Sequence, residues 1–201
     1  MIRAWVLSLS CLLAACVGGM SPRAPSARFD LGPLPVAPEN KALAGIRLDV
    51  RAASWLDSTA MSYRLMYGDP AERRSYRDSR WVAQPAELIA TRLGRLLGGA
   101  IVTDGALAGT CLLHAQLDEF IHDYDTPDAG RAIVKARLLL SAGRSGRVSR
   151  AFNIDQPAQG AGAAAGVRAL GLATDQLARE IAAWLAEPEL VALLGHAGCR
   201  G

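Results

Sequence analysis

The sequence predicts a single α+β domain in which an antiparallel sheet carries two main helices packed on one face. Three observations predict it. Segments between residues 46 and 154 alternate apolar and polar residues with a period of two. Two segments, from Pro85 and from about Gly162, repeat apolar residues every three or four positions. Three strand-like runs near the end of the chain are separated only by short turns. An export signal and a flexible tether precede the domain.

The signal occupies residues 1–15. Met1-Ile2-Arg3 is a short basic start, and Ala4 to Leu13 is apolar except at Ser8 and Ser10. That run is too short to cross a bilayer core of about 30 Å, which takes about 20 residues. It closes on Leu13-Ala14-Ala15-Cys16, which resembles the lipobox of bacterial lipoproteins, with Cys16 as the lipidated residue. Position 17 is Val rather than the Asp that resembles an inner-membrane retention signal, so the expected address is the periplasmic face of the outer membrane. Palmitate-type acyl chains would hold it there, each buried CH₂ contributing about 0.8 kcal/mol. Residues 16–27, rich in Gly, Pro and Ser, read as the lipidated cysteine and its tether. The domain is expected over 28–190, with 191–201 as a C-terminal tail.

Within the domain, Phe29 to Gly32 is a candidate first strand, and Ile46 to Arg51 alternates as a half-buried strand does. Met61, Tyr63, Leu65 and Tyr67 fall on one face of the next strand; Gly68-Asp69-Pro70 turns the chain, and Ser75 to Val82 returns. Pro85 suits the first turn of a helix, where its missing N–H costs nothing. Leu88, Ile89, Leu93, Leu96 and Leu97 line that helix, Gly98-Gly99 ends it, and Ile101 to Thr103 is a short strand. Cys111 to Tyr124, Arg131 to Ala142 and Arg147 to Ile154 then form a meander. The last helix runs from about Gly162 to Ala186, with Val167, Leu170, Thr174, Leu177, Ile181 and Trp184 in one stripe, and Pro188 stops it.

The formal charge is +3, with Arg3 inside the signal, and only Lys41 and Lys135 are lysines. So weak a balance in an exported chain argues against nucleic-acid binding, although Arg73, Arg74, Arg77 and Arg80 interleave with Tyr63, Tyr67 and Tyr76. Asp69, Glu72 and Asp78 dilute that run, which reads as a solvated hairpin or a protein-partner surface, with anionic lipid headgroups as a third reading. His114, Asp118, Glu119, His122, Asp123 and Asp125 cluster in sequence. Along a strand, however, His114 and His122 lie about 26 Å apart, too far to share an ion. Simple alternation places His114, Gln116, Asp118, Phe120, His122 and Tyr124 on a largely solvated face and Leu113, Ala115, Leu117, Glu119 and Ile121 on the core face. No catalytic motif, metal set or cofactor fingerprint is found, so neither an enzyme nor a cofactor is expected. Cys11 falls in the signal and Cys16 goes to lipid. Cys111 and Cys199 remain, either bonded as a disulfide or as two thiols that never meet.

Ser79-Arg80-Trp81-Val82-Ala83-Gln84-Pro85 places an indole between a strand and a helix. Stacking on nucleic acid fails on compartment and charge, and catalysis fails for want of partners. Tyr76, Arg80, Trp81 and Pro85 are therefore read as a structural joint or a partner-docking element.

These residues also carry a resemblance. The lipobox, Phe29-Asp30-Leu31-Gly32, Ile46 to Val50, Trp55-Leu56-Asp57-Ser58 before Met61-Ser62-Tyr63-Arg64, and above all Tyr76 with Arg80-Trp81-Val82-Ala83-Gln84-Pro85 resemble the ABC-type transport auxiliary lipoproteins (PqiC/YmbA-like). The resemblance implies a non-catalytic component of a lipid transport system between inner and outer membranes. Its partners would be a mammalian-cell-entry (MCE) domain protein, a permease and an ATPase, and a homo-oligomer is left open. The other reading is an envelope assembly or scaffolding lipoprotein not linked to an ABC transporter.

Overall fold

A computed structural model describes residues 26–34, 46–98, 101–102, 111–144 and 146–199. The signal, Cys16 and nearly all of the tether lie outside the described residues. The strands are β1 (Ala27–Phe29), β2 (Arg47–Ala52), β3 (Ala60–Leu65), β4 (Arg74–Trp81), β5 (Ile101–Val102), β6 (Cys111–Tyr124), β7 (Gly130–Ala142) and β8 (Gly146–Ala158). The helices are α1 (Pro85–Leu96), α2 (Ala163–Leu185) and α3 (Pro188–His196). The first strand thus ends where the sequence suggested that it begins, and Pro188 both follows one helix and opens another. A proline at the first helical position is favourable, because that N–H has no intrahelical partner.

All eight strands join one open sheet, and the expected α+β class holds. The sheet is mixed rather than antiparallel. β6, β7 and β8 form the predicted antiparallel meander, but β2 and β3 both run parallel to β6. They share its other edge: β2 pairs with Leu112 to Leu117 and β3 with His122 to Tyr124. Beyond them β5 lies parallel to β2, β4 antiparallel to β3, and β1 parallel to the end of β4. Parallel neighbours require crossover connections, and α1, between β4 and β5, supplies part of one.

The helices cover one face. On β7 the residues Ala132, Val134, Ala136, Leu138 and Leu140 are buried while Lys135, Arg137 and Leu139 are exposed. α1 packs on β2, and α2 packs on β6, β7 and β8 and against α1. Where α1 and α2 meet, Arg92 and Asp175 form a buried ion pair. The Arg92 guanidinium also donates to the carbonyls of Leu31 (3.0 Å), Gly32 (3.1 Å) and Pro33 (3.4 Å). It thereby fastens the segment after β1 across the two helices. At the other end of α2, Leu190 and Leu194 of α3 are buried, and Cys199 lies against Cys111, with their Cα atoms 5.7 Å apart, in the structure's single cysteine pairing among the described residues.

Candidate functional site

Of the residues singled out in the sequence, Tyr76, Arg80, Trp81 and His122 lie together at the β3–β4 end of the molecule, where two irregularities shape the strands. The first lies in β4. Ala60 pairs with Arg80 and Ser62 with Ser75, so the chain from Tyr76 to Ser79 bulges out of the ladder. A bulge leaves carbonyls without ladder partners. Arg80 meets them: its Nη1 donates to Tyr76 O at 2.5 Å and Ser79 O at 2.9 Å, with Arg77 O at 3.5 Å. Trp81 follows at the end of the strand, 2% exposed, with its ring centroid 5.6 Å from that of Phe120. Its N–H donates to Thr59 O, and the neighbouring Val82 N–H donates to Phe29 O. Pro85 is buried at the first position of α1. Arg80 thus braces the bulge, and Trp81 and Pro85 are buried.

The second irregularity lies in β6. Leu117 pairs with Ala136 and Glu119 with Lys135, which leaves Asp118 as an extra residue. One inserted residue exchanges the faces of everything after it. Cys111, Leu113, Ala115 and Leu117 face the helices as expected, but beyond the bulge Phe120, His122 and Tyr124 take over that face. This corrects the solvated face read from simple alternation. Glu119 and Asp123 turn to the other side, where Arg64 Nη2 binds Glu119 Oε2 at 2.6 Å and Arg73 Nη2 binds Glu119 Oε1 at 2.5 Å. Burial pushes the Asp123 carboxyl up, and the Arg64 guanidinium, 3.7 Å away, works against that.

His122 is 1% exposed and is enclosed by two backbones. A Cβ on Gly166 would stand 2.7 Å from its Nδ1, and one on Gly130 would stand 2.9 Å from its Nε2. Burial lowers its pKa to about 4. A neutral imidazole then accepts the last bond of a one-way chain. The Gly162 N–H donates to the Tyr124 hydroxyl (2.7 Å), Tyr124 donates to the Tyr76 hydroxyl (2.8 Å), and Tyr76 donates to His122 Nδ1 (2.9 Å). In this direction each hydroxyl both accepts and donates, while His122 Nε2, which then carries the imidazole proton, is buried without a partner among the described residues. Since Gly162 is the N-cap of α2, the chain pins the start of that helix to β4 and β6. Burial also raises the Tyr76 phenol far above its ordinary value. Burial thus favours the uncharged form of both groups, and their bonds tie β4 and β6 to the start of α2.

His114, at the other end of β6, instead bonds Asp49 Oδ2 at 2.9 Å. Among the described residues no three His, Cys, Asp or Glu side chains are grouped to hold a metal.

What the cluster presents outward is aromatic. All four tyrosines of the chain, Tyr63, Tyr67, Tyr76 and Tyr124, line one shallow pocket of about 350 Å³, with Arg77 and Pro127 at its sides. Tyr63 and Tyr76 lie 4.7 Å apart, centroid to centroid. Tyr67 is 52% exposed and its neighbour Met66 43%. The sequence placed Tyr63, Tyr67 and Tyr76 in one hairpin but gave no sign that Tyr124 joins them, because the Asp118 bulge is what turns Tyr124 inward.

Residues 34–182 match the model of the ABC-type transport auxiliary lipoprotein component family. The chain belongs to that family. The fold agrees: a Xanthomonas campestris protein described as belonging to the DUF330 family superposes with a TM-score of 0.65 at 20% identity, covering 79% of this chain and 94% of that one. The crystal structure of an uncharacterized protein gives 0.62 at 17% identity, covering 81% and 99%. No curated protein matches. The family is described as an auxiliary transport component and a lipoprotein. Among the described residues of this auxiliary lipoprotein, no helix is long and apolar enough to cross a membrane.

Proposed function

We propose that this auxiliary lipoprotein is a non-catalytic docking component of an MCE-associated ABC lipid transport system. Acylated at Cys16, it stands on the periplasmic face of the outer membrane. The observation that carries the reading is the family match over residues 34–182, whose description names an ABC-type transport partner. The geometry supports docking rather than chemistry: the polar side chains at the β3–β4 end, Arg80, His122, Tyr76 and Tyr124, are engaged in bonds that shape the bulge and fix α2. The docking surface we assign is the four-tyrosine pocket, whose exposed ring is Tyr67. Tyrosine supplies apolar contact area and a polar tip with little conformational freedom to lose, and so is enriched at interfaces.

Purification of the lipidated chain from membranes tests this directly. The MCE-domain protein should accompany it, with the permease and ATPase in turn. Tyr67→Ala should weaken that recovery and leave the melting temperature unchanged. Recovery of envelope assembly proteins in place of transporter subunits would contradict the reading.

A further inference from the structure

A second concavity lies on the helical layer. Its walls are Leu31, Pro33 and Leu34 on one side and Val167, Gly171 and Leu172 of α2 on the other, and it measures about 450 Å³. The wall segment sits directly on the helix, because a Cβ at Gly171 would come within 2.7 Å of Leu31 O. The floor is the Arg92–Asp175 pair. Arg92 has five N–H donors, and five acceptors meet them: two carboxylate oxygens of Asp175 and the carbonyls of Leu31, Gly32 and Pro33. The floor is charge-neutral and saturated, so it has no donor left for a polar ligand.

At the mouth stands Arg168, one helical turn before Leu172 and therefore on the same side of α2. Its one hydrogen bond is a 3.5 Å contact to Gln159 O, which leaves most of the guanidinium facing solvent. Leu172, an apolar side chain, is 53% exposed. An apolar trough with a single cation at its mouth matches a hydrocarbon tail joined to an anionic headgroup. The volume is about three times the ~150 Å³ cavity that accepts a benzene, enough for one tail but not two.

The position of the groove points to where such a lipid would come from. Ten residues, and so eleven peptide steps, lie between Cys16 and Ala27, a reach of at most ~40 Å. β1 then leads straight into the wall at Leu31. The start of β1 is thus held within that reach of the leaflet in which the cysteine is anchored, and the groove wall follows four residues later.

We propose that this groove takes one acyl tail of a phospholipid from that leaflet, with Arg168 as the partner of its phosphate. The proposal rests on the lipid-anchor reading above but not on the docking of an MCE protein. The test uses the mature lipidated chain in phosphatidylethanolamine–phosphatidylglycerol vesicles, with a fluorophore on Leu172→Cys and nitroxide phospholipids spin-labelled either midway along the acyl chain or at the headgroup. The mid-chain nitroxide should quench the probe more than the headgroup nitroxide does, and a probe on Ser149→Cys should report neither. In electron paramagnetic resonance of the same vesicles, Leu172→Glu should weaken immobilisation of the mid-chain label about tenfold, as expected for losing one leucine's apolar contact. Arg168→Glu should abolish the preference for phosphatidylglycerol over phosphatidylcholine while the melting temperature holds. Quenching by the headgroup nitroxide alone, or an unchanged Leu172→Glu, would overturn the proposal and leave the anchor reading intact. Failure of the chain to float with the vesicles would overturn both.

Discussion

Arg92 of α1 and Asp175 of α2 form a two-point ion pair, Nε to Oδ1 at 2.6 Å and Nη2 to Oδ2 at 2.9 Å, beneath the backbone of Leu31 to Pro33. The pair joins the two helices to the segment that leads in from the tether. Both residues are buried, at 6% and 8% exposure. Removing one partner leaves the other charge uncompensated in the interior. Arg92→Ala should therefore destabilise the domain by about 3–5 kcal/mol, whereas replacing both residues with apolar ones of similar size should recover much of the loss. Chemical denaturation of the three variants checks this; equal losses in the single and double variants would contradict it.

Trp81→Ala should cost about 3–5 kcal/mol, the usual range for truncating a large buried aromatic side chain. A denaturant melt reads it. A loss below about 1 kcal/mol accompanied by loss of partner binding would return Trp81 to the docking surface.

Much of this joint was legible in the chain. Pro85 after an aromatic-rich strand marks the start of a helix, and the tryptophan before it has no catalytic partner in sequence, which leaves packing or partner docking as its role. The bulge that Arg80 braces was not legible, because Tyr76 to Ser79 reads as ordinary strand and the extra residues appear only once Ser62 is matched to Ser75. The same applies to β6. Alternation is a local signal and was read correctly up to Leu117; the inserted Asp118 reverses it, so His122 and Tyr124 passed from the predicted outer face to the core. Strand direction is equally hidden: β2 and β3 alternate as any half-buried strands do, and nothing local tells β6 to accept both in parallel. The helix after Pro188 was missed because a proline ends one helix and starts another with the same letter. Of the candidate site, the tyrosines of the hairpin were visible, but their meeting with Tyr124 depends on pairing between segments some fifty residues apart.

The burial of His122 makes stability depend on pH. Its pKa falls from 6.5 in the unfolded chain to about 4 in the fold, so between those values the unfolded chain binds more protons. The contribution is complete above about pH 6.5 and is lost as pH falls toward 4, amounting to about 3 kcal/mol at most. Asp123, pushed up by burial, acts in the opposite sense and gains stability on acidification. Replacing the imidazole by His122→Gln should remove the first effect and leave the second. Melts of both proteins between pH 7 and 4 check it; an identical acid slope in the two would contradict the assignment.

Cys111 and Cys199 join the start of β6 to the chain after α3, 88 residues apart. Closing so long a loop constrains the unfolded chain by roughly 4–5 kcal/mol in the chain-entropy account. Reduction, or a Cys111→Ser/Cys199→Ser double substitution, should lower stability by up to about that amount. Intact-mass comparison of reduced and non-reduced protein establishes the bond first; two free thiols in protein purified from the envelope would remove the prediction.

The central claim is that this lipoprotein acts by docking on a transporter partner, and site-specific crosslinking in intact cells tests it most directly. A photoreactive amino acid in place of Tyr67, at the edge of the four-tyrosine pocket, should capture the MCE-domain protein on illumination, whereas one in place of Ser149, on the far face of the sheet, should not. Capture at both positions alike, or at neither while the chain is present and membrane-anchored, would contradict the account.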